Sequence, residues 1–133
     1  MKMWFNIILV MLTFCVSAQN LNGSRWLLVS IDDLSSGISK DIQASTKVTL
    51  HFECDTIYSG RFCNSFCGTI RFNSNNTLKM IKPVTTRMTC MGLDKYEKEM
   101  LAIFSSTTKY RVEENNLYLF ASTNKRLTYR LDK

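Results

Sequence analysis

The sequence has few of the residues on which most enzymes and multidomain proteins depend. Its 133 residues include one proline and one histidine, and no Pro-, Gly- or Ser-rich linker divides them. We therefore expect one folded domain and not two. The single histidine, His51, does not lie beside a nucleophile, and its place on the polar side of an alternating segment is typical of a surface residue.

Other catalytic patterns are missing as well. There is no carboxylate pair with a spacing suited to acid–base chemistry and no glycine-rich loop of the kind that holds phosphates. The four cysteines beyond residue 18 do not have the spacing of a zinc site. The sequence therefore predicts a protein that is not an enzyme and that holds no cofactor or metal.

Only one long apolar run occurs, at the N terminus. Lys2 precedes the run WFNIILVMLTFCV, which ends at the small residues of Val16-Ser17-Ala18. This pattern predicts a signal peptide over residues 1–18, cleaved between Ala18 and Gln19, and a secreted or periplasmic domain over residues 19–133. An uncleaved anchor is an alternative, although a membrane span needs about 20 apolar residues. Lipidation of Cys15 is disfavoured by the large residue Phe14 before it.

The chain is basic, with a formal net charge of +6. Its cations are scattered among apolar residues, as expected for the solvated faces of strands. The alternative interpretation is a surface that meets anionic lipid, glycan or nucleic acid. No nucleic-acid-binding motif is present, so a nucleic-acid partner is not expected.

Most of the chain beyond residue 20 has the pattern of short strands. Val48, Leu50 and Phe52 alternate with polar residues, as in a strand with one buried face. Segment 24–31 is instead apolar at both odd and even positions, which predicts a strand buried along most of its length. The eight predicted strands are 24–31, 47–53, 57–62, 68–72, 78–81, 109–113, 117–121 and 126–131.

One segment has helical periodicity. Residues 94–104, DKYEKEMLAIF, place Tyr96, Met100, Ile103 and Phe104 on one stripe. Asp94 is the predicted N-cap, with Glu97 completing a capping box and lying on the polar side. A sheet of about eight antiparallel strands has two edges whose backbone groups are unpaired, and closing the sheet into a barrel removes them. We therefore predict a mainly β (α+β) fold: a small barrel-like sheet covered by this helix.

Two motifs carry a family resemblance. Residues 60–68, GRFCNSFCG, contain the pair Cys63-Asn64, and residues 86–90 read Thr-Arg-Met-Thr-Cys. In this order, with Trp26 upstream and the helix and hairpins downstream, the chain resembles the META domain, or HslJ-like, family over residues 19–133. The resemblance implies a small antiparallel barrel with one helix, and structural roles for Asn64, Gly68, Thr86, Arg87 and Met88.

An even number of cysteines in an exported domain predicts disulfides. Cys54, Cys63, Cys67 and Cys90 allow three complete pairings, and the residues alone do not choose among them. The resemblance implies a bridge between Cys63 and Cys90. A second bridge between Cys54 and Cys67 would have to span about 13 Å along a strand, beyond the ~7 Å between Cα atoms that a disulfide permits without a sharp bend. Pairing of Cys67 with Cys63 or Cys90 stays open.

Two functions are compatible with these features. The resemblance implies an envelope or secreted protein associated with stress responses or virulence, without a known chemical mechanism. The alternative is a binding module for a small apolar ligand or an extracellular protein, with a pocket lined by Trp26, Phe52, Phe66 and Phe72. We expect a monomer with no membrane span after signal cleavage.

Overall fold

The computed structural model describes residues 21–133. In that range the chain forms ten strands, one α-helix and a short 3₁₀ turn at Ala44–Thr46. The helix, α1, spans Asp94–Ser106 and separates β7 from β8. The strands are β1 Arg25–Asp33, β2 Ile38–Asp41, β3 Thr49–Glu53, β4 Ile57–Arg61, β5 Ser65–Phe72, β6 Leu78–Met80, β7 Val84–Thr85, β8 Thr107–Glu113, β9 Asn116–Ala121 and β10 Lys125–Leu131. The predicted signal peptide, residues 1–18, lies outside the described residues.

Eight strands form one antiparallel path in the order β6-β5-β4-β3-β1-β10-β9-β8, while β2 pairs with β1 and β7 pairs with β5 beside it. The two ends of the path meet at an isolated bridge between Thr77 and Lys109. There the Tyr110 N–H donates a hydrogen bond of 3.0 Å to the Asn76 carbonyl. The sheet is thus a nearly closed barrel, which protects its edges. The predicted fold class, a barrel-like sheet of about eight strands with one helix, is confirmed.

The irregularity of β1 explains why its sequence is apolar at both odd and even positions. The pairing of β1 with β10 shifts between Leu28 and Ser30, which leaves Val29 as the extra residue of a bulge. A bulge changes which residues face inward. Leu28 before it and Ile31 after it are consequently both buried.

The interior is filled by side chains from the barrel and from α1. Phe104 of the helix lies 5.5 Å from the rings of both Tyr58 and Phe66, measured between ring centroids. Met100 and Ile103 are buried beside it, so the helix contributes to the core as well as covering it. The largest fully buried side chains are those of Tyr58, Tyr129, Phe52, Phe104, Ile31, Leu50, Met100, Ile103, Leu117, Leu119, Leu127 and Val48.

Two glycines allow aromatic rings to lie flat against the neighbouring strand. Gly60 stands opposite Phe66, and Gly68 stands opposite Tyr58. A Cβ atom on Gly60 would lie 2.0 Å from the Thr49 carbonyl oxygen and 2.6 Å from the Phe66 ring, and one on Gly68 would lie 2.6 Å from the Tyr58 ring. Both positions therefore require glycine because of close approach.

Four details differ from the sequence predictions. Strands β2 and β7 were not predicted, since one has only exposed residues and the other is two residues long. The helix begins at Asp94 as predicted but continues to Ser106. The capping box was wrong: Leu93 is the N-cap residue and no side chain caps the helix. Glu97, predicted on the polar side, is buried.

The close approach at Gly60 can be tested by Gly60→Ala. The added methyl group would displace either the Thr49 backbone or the Phe66 ring, so we expect the free energy of unfolding to fall by about 2 kcal/mol or more. Urea denaturation would measure it. Ser59→Ala, at the neighbouring position of the same strand, is the control, and an equal effect of the two substitutions would contradict this account.

Candidate functional site

The carboxylate of Glu97 joins the helix to the loop after β4. Its side chain is buried, with 6% of the residue's surface exposed. Oε2 accepts hydrogen bonds of 2.8 Å from the backbone N–H groups of Cys63 and Asn64, and Oε1 accepts one of 2.6 Å from Asn64 Nδ2. The loop thus binds a helix carboxylate much as proteins bind an anion. Buried charge is tolerated here because it receives several donors.

Asn64 extends this contact to the segment before α1. Its Oδ1 accepts from the Met88 N–H at 2.6 Å and from Thr86 Oγ1 at 3.0 Å. Its Nδ2 donates to the Met88 carbonyl at 3.2 Å as well as to Glu97. An amide side chain has two donor hydrogens and two acceptor positions, and all four are used. Asn64 therefore holds the loop, segment 86–88 and the helix together.

A disulfide joins the same two segments covalently. The structure pairs Cys63 with Cys90, with 6.0 Å between their Cα atoms, and this is the pairing that the family resemblance implied. The bridge closes a loop with a sequence separation of 27 residues. We call Cys63, Asn64, Thr86, Cys90 and Glu97 the Cys–Asn hub.

The other motif residues lie around the hub. Met88 contributes only its backbone to Asn64, and its side chain is exposed. Arg87 is exposed and makes no ion pair with Glu97 or Glu99 within the described chain. Gly68 lies on β5 against Tyr58 and outside the hub.

Cys54 and Cys67 are free and exposed. Cys67 pairs across the sheet with Ser59 in the middle of β4, whereas Cys54 lies in the turn before that strand. The two are thus separated along the strand, and neither pairs with a hub cysteine. Among residues 21–133, no three His, Cys, Asp or Glu side chains come together in a way that could hold a metal ion.

The structure does not bring the four predicted pocket residues together around an open space. Trp26, Phe52 and Phe66 are buried in the core. Phe72 alone reaches a cleft of about 720 Å³ at one end of the barrel. Its ring lies 5.6 Å from that of Tyr110. Further walls of the cleft come from Leu21, Asp55, Ile70, Arg71, Lys79 and Ile81.

Two further carboxylates hold cations at the barrel surface. Burial would raise the pKa of Asp32, but hydrogen bonds from Thr128, Arg126, Ser39 and Ser30 together bring this pKa below its usual value. Burial would also raise the pKa of Glu99, but hydrogen bonds from Lys40 and Lys125 bring this pKa below its usual value as well. Both groups are therefore anionic at neutral pH.

The fold and the hub define a class: a small β-barrel domain, stabilised by one disulfide, whose helix is bound through a buried carboxylate. The sequence pattern of the META domain matches residues 19–133. The chain belongs to the META domain family. None of the curated proteins matches it.

Solved structures share this fold. An NMR structure of a protein from Burkholderia xenovorans has a TM-score of 0.72 and 20% identity, covering 85% of this chain and 84% of that one. A second NMR structure has a TM-score of 0.65 and 23% identity, covering 84% and 91%. The crystal structure of a DUF4847 family protein from Bacteroides vulgatus has a TM-score of 0.63 and 12% identity, covering 85% and 95%. At these identities the likeness concerns the fold alone.

Removal of the Glu97 carboxylate should weaken the fold. Glu97→Ala would leave two buried backbone N–H groups without an acceptor, so we expect the free energy of unfolding to fall by about 3 kcal/mol. Glu97→Gln retains one acceptor oxygen and should cost less. Lys98→Ala, an exposed change on the same helix, is the control, with an effect within about 0.5 kcal/mol. Equal midpoints of urea denaturation for Glu97→Ala and Lys98→Ala would contradict the role of the hub.

Proposed function

We propose that this META domain acts outside the cytoplasm as a non-enzymatic protein of the cell envelope or the secreted fraction, in a response to stress. The observation that carries the proposal is the Cys63–Cys90 bridge in the hub. Disulfides of this structural kind persist in oxidising compartments and are rare in the cytosol.

The hydrogen bonding of the motif residues supports a role without chemistry. All four hydrogen-bonding positions of Asn64 are occupied by protein partners, and both oxygens of Glu97 accept from the loop. A general acid, a base or an oxyanion donor needs a position free for substrate. The hydrogen bonding of Asn64 and Glu97 therefore supports a structural role for the hub.

No helix in the described range is long and apolar enough to cross a membrane. The proposal of export rests on the predicted signal peptide over residues 1–18 and on the Cys63–Cys90 disulfide. The role in a stress response is what the family resemblance implies, and it is part of the same proposal.

Fractionation of the native cells, followed by alkylation of thiols, tests the location. We expect the protein outside the cytoplasm with Gln19 as its first residue. Two thiols, Cys54 and Cys67, should react in the unfolded, unreduced protein, and four after reduction. Cys90→Ala is the control, since it frees Cys63 and should give three reactive thiols without reduction. A cytosolic protein that retains residues 1–18 and has no disulfide would contradict the proposal.

A second candidate, a binding module, is favoured by the cleft beside Phe72. Its volume of about 720 Å³ lies within the range of small-molecule sites. Its wall combines apolar side chains, such as those of Phe72, Tyr110 and Ile81, with the cations of Arg71 and Lys79 and one acid, Asp55, so cations outnumber acids there. Such a lining suits an amphipathic molecule with an apolar chain and an acidic head.

Dodecanoate is a suitable probe for this cleft. A ligand that binds the native state alone raises the unfolding temperature, and a concentration about 100 times the Kd contributes about 2.7 kcal/mol. We expect dodecanoate to stabilise the parent protein but not Thr69→Trp, which would fill the cleft. Thr108→Trp, on an exposed position of β8 outside the cleft, is the control and should respond like the parent. No shift in the parent protein would contradict this second function.

A further inference from the structure

The outer side of strands β8 to β10 carries an ordered set of cations and aromatic rings. Along β9, Leu117 and Leu119 face the core, so Tyr118 and Phe120 face outward. On β8, Arg111 stands opposite Tyr118, and Lys109 stands opposite Phe120. On β10, Arg126 stands opposite Phe120 from the other side. We call Lys109, Arg111, Tyr118, Phe120 and Arg126 the arginine–aromatic face.

Both guanidinium groups are held over rings. The Cζ atom of Arg111 lies 5.1 Å from the centroid of Tyr118 and 5.7 Å from that of Phe120. The Cζ atom of Arg126 lies 5.2 Å from the centroid of Tyr118. Stacking on rings restricts a long side chain in advance, so less conformational entropy is lost when it binds a ligand.

Arg126 is fixed a second time, by Asp32. Its Nε lies 2.8 Å from Asp32 Oδ2, and the Asp32 residue is only 3% exposed. The ion pair uses Nε, which leaves the two Nη groups of Arg126 as donors for a ligand. Asp32 lies buried beneath Arg126. Its carboxylate therefore orients the guanidinium group but is not itself accessible to a ligand.

The surface has an excess of positive charge. Among the described residues, the acids in contact with its arginines are Asp32, which is buried, and Glu113, whose Oε1 lies 3.7 Å from Arg111 Nε. Lys109 makes no ion pair within the described range. Two acids thus face three cations, and one of those acids is inaccessible to a ligand.

We propose that the arginine–aromatic face binds an acidic polysaccharide, a polymer whose sugars carry carboxylate or sulfate groups. The face is part of a sheet, and its cations stand on β8 and β10, the two strands that flank β9. Neighbouring strands lie about 4.8 Å apart, so the two rows of cations are about 10 Å apart. An extended anionic chain can lie across such a row and meet several cations in succession. Guanidinium groups bind carboxylate and sulfate in a planar, two-pronged geometry, which suits these substituents.

Two other anionic partners fit this surface less well. A membrane-binding face needs exposed apolar side chains that enter the lipid. The exposed large apolar residues of the described chain are Val29, Leu34, Ile38, Ile81, Val84, Met88 and Met91, and none belongs to the face. Single-stranded nucleic acid needs uncovered rings on which bases stack, whereas arginines cover these rings. No residue of the face lines the cleft, so the proposal does not depend on a ligand there.

The test is binding of the intact domain to immobilised polyuronate and to a sulfated polysaccharide at low and at physiological salt. The test variant is Lys109→Gln with Arg111→Gln. The matched control is Lys47→Gln with Arg61→Gln, which removes one lysine and one arginine from exposed positions outside the face and outside the cleft. A third variant, Arg111→Lys, keeps the charge but loses the planar group. Urea denaturation establishes that each variant is folded.

We expect the face variant to bind at least one of the two polymers about tenfold more weakly than the parent, and the control variant within about twofold of the parent. Arg111→Lys should fall between them, and added salt should weaken the binding of the parent. Equal losses in the face and control variants, or no binding by the parent, would overturn the proposal. Tighter binding to phosphatidylglycerol vesicles or to a single-stranded oligonucleotide than to either polysaccharide would overturn it too.

Discussion

The buried contact between Glu97 and the Cys63-Asn64 loop is the interaction on which the arrangement of this domain depends. It places a charged helix residue under the loop after β4, and the loop supplies three donor groups to it. Asn64 also hydrogen-bonds to segment 86–88, and the disulfide links the same loop to Cys90. The position of α1 on the barrel is therefore set by polar contacts as well as by the apolar side chains that it buries.

Much of the barrel could be predicted because alternation along a strand has a direct physical cause. Val48, Leu50 and Phe52 mark a strand since one face of the sheet is buried, and the same alternation occurs in segments 117–121 and 126–131. The hub could not be predicted in this way. Glu97 counts as polar in any helical pattern, and the donors that make its burial favourable lie more than thirty residues earlier in the chain.

The binding surfaces show a second limit of sequence analysis. Trp26, Phe52, Phe66 and Phe72 have the same apolar character, so composition does not separate core residues from the walls of a cleft. Only the position of Phe72 at the end of β5 brings it to an opening. The cations of β8 and β10 were predicted as solvated charges, and their stacking on Tyr118 becomes visible only when the register of three strands is known.

The barrel is least continuous along the line where β6 meets β8. The sheet is continuous everywhere else along its path, but here the strands share an isolated bridge at Thr77 and Lys109. Helix α1 contacts β6 on one side of this line and β9 and β10 on the other, so it connects the two ends of the sheet. Because the helix is anchored by Glu97 to the loop that carries Cys63, we expect the Cys63–Cys90 bond to add to the stability of the region where the cylinder closes.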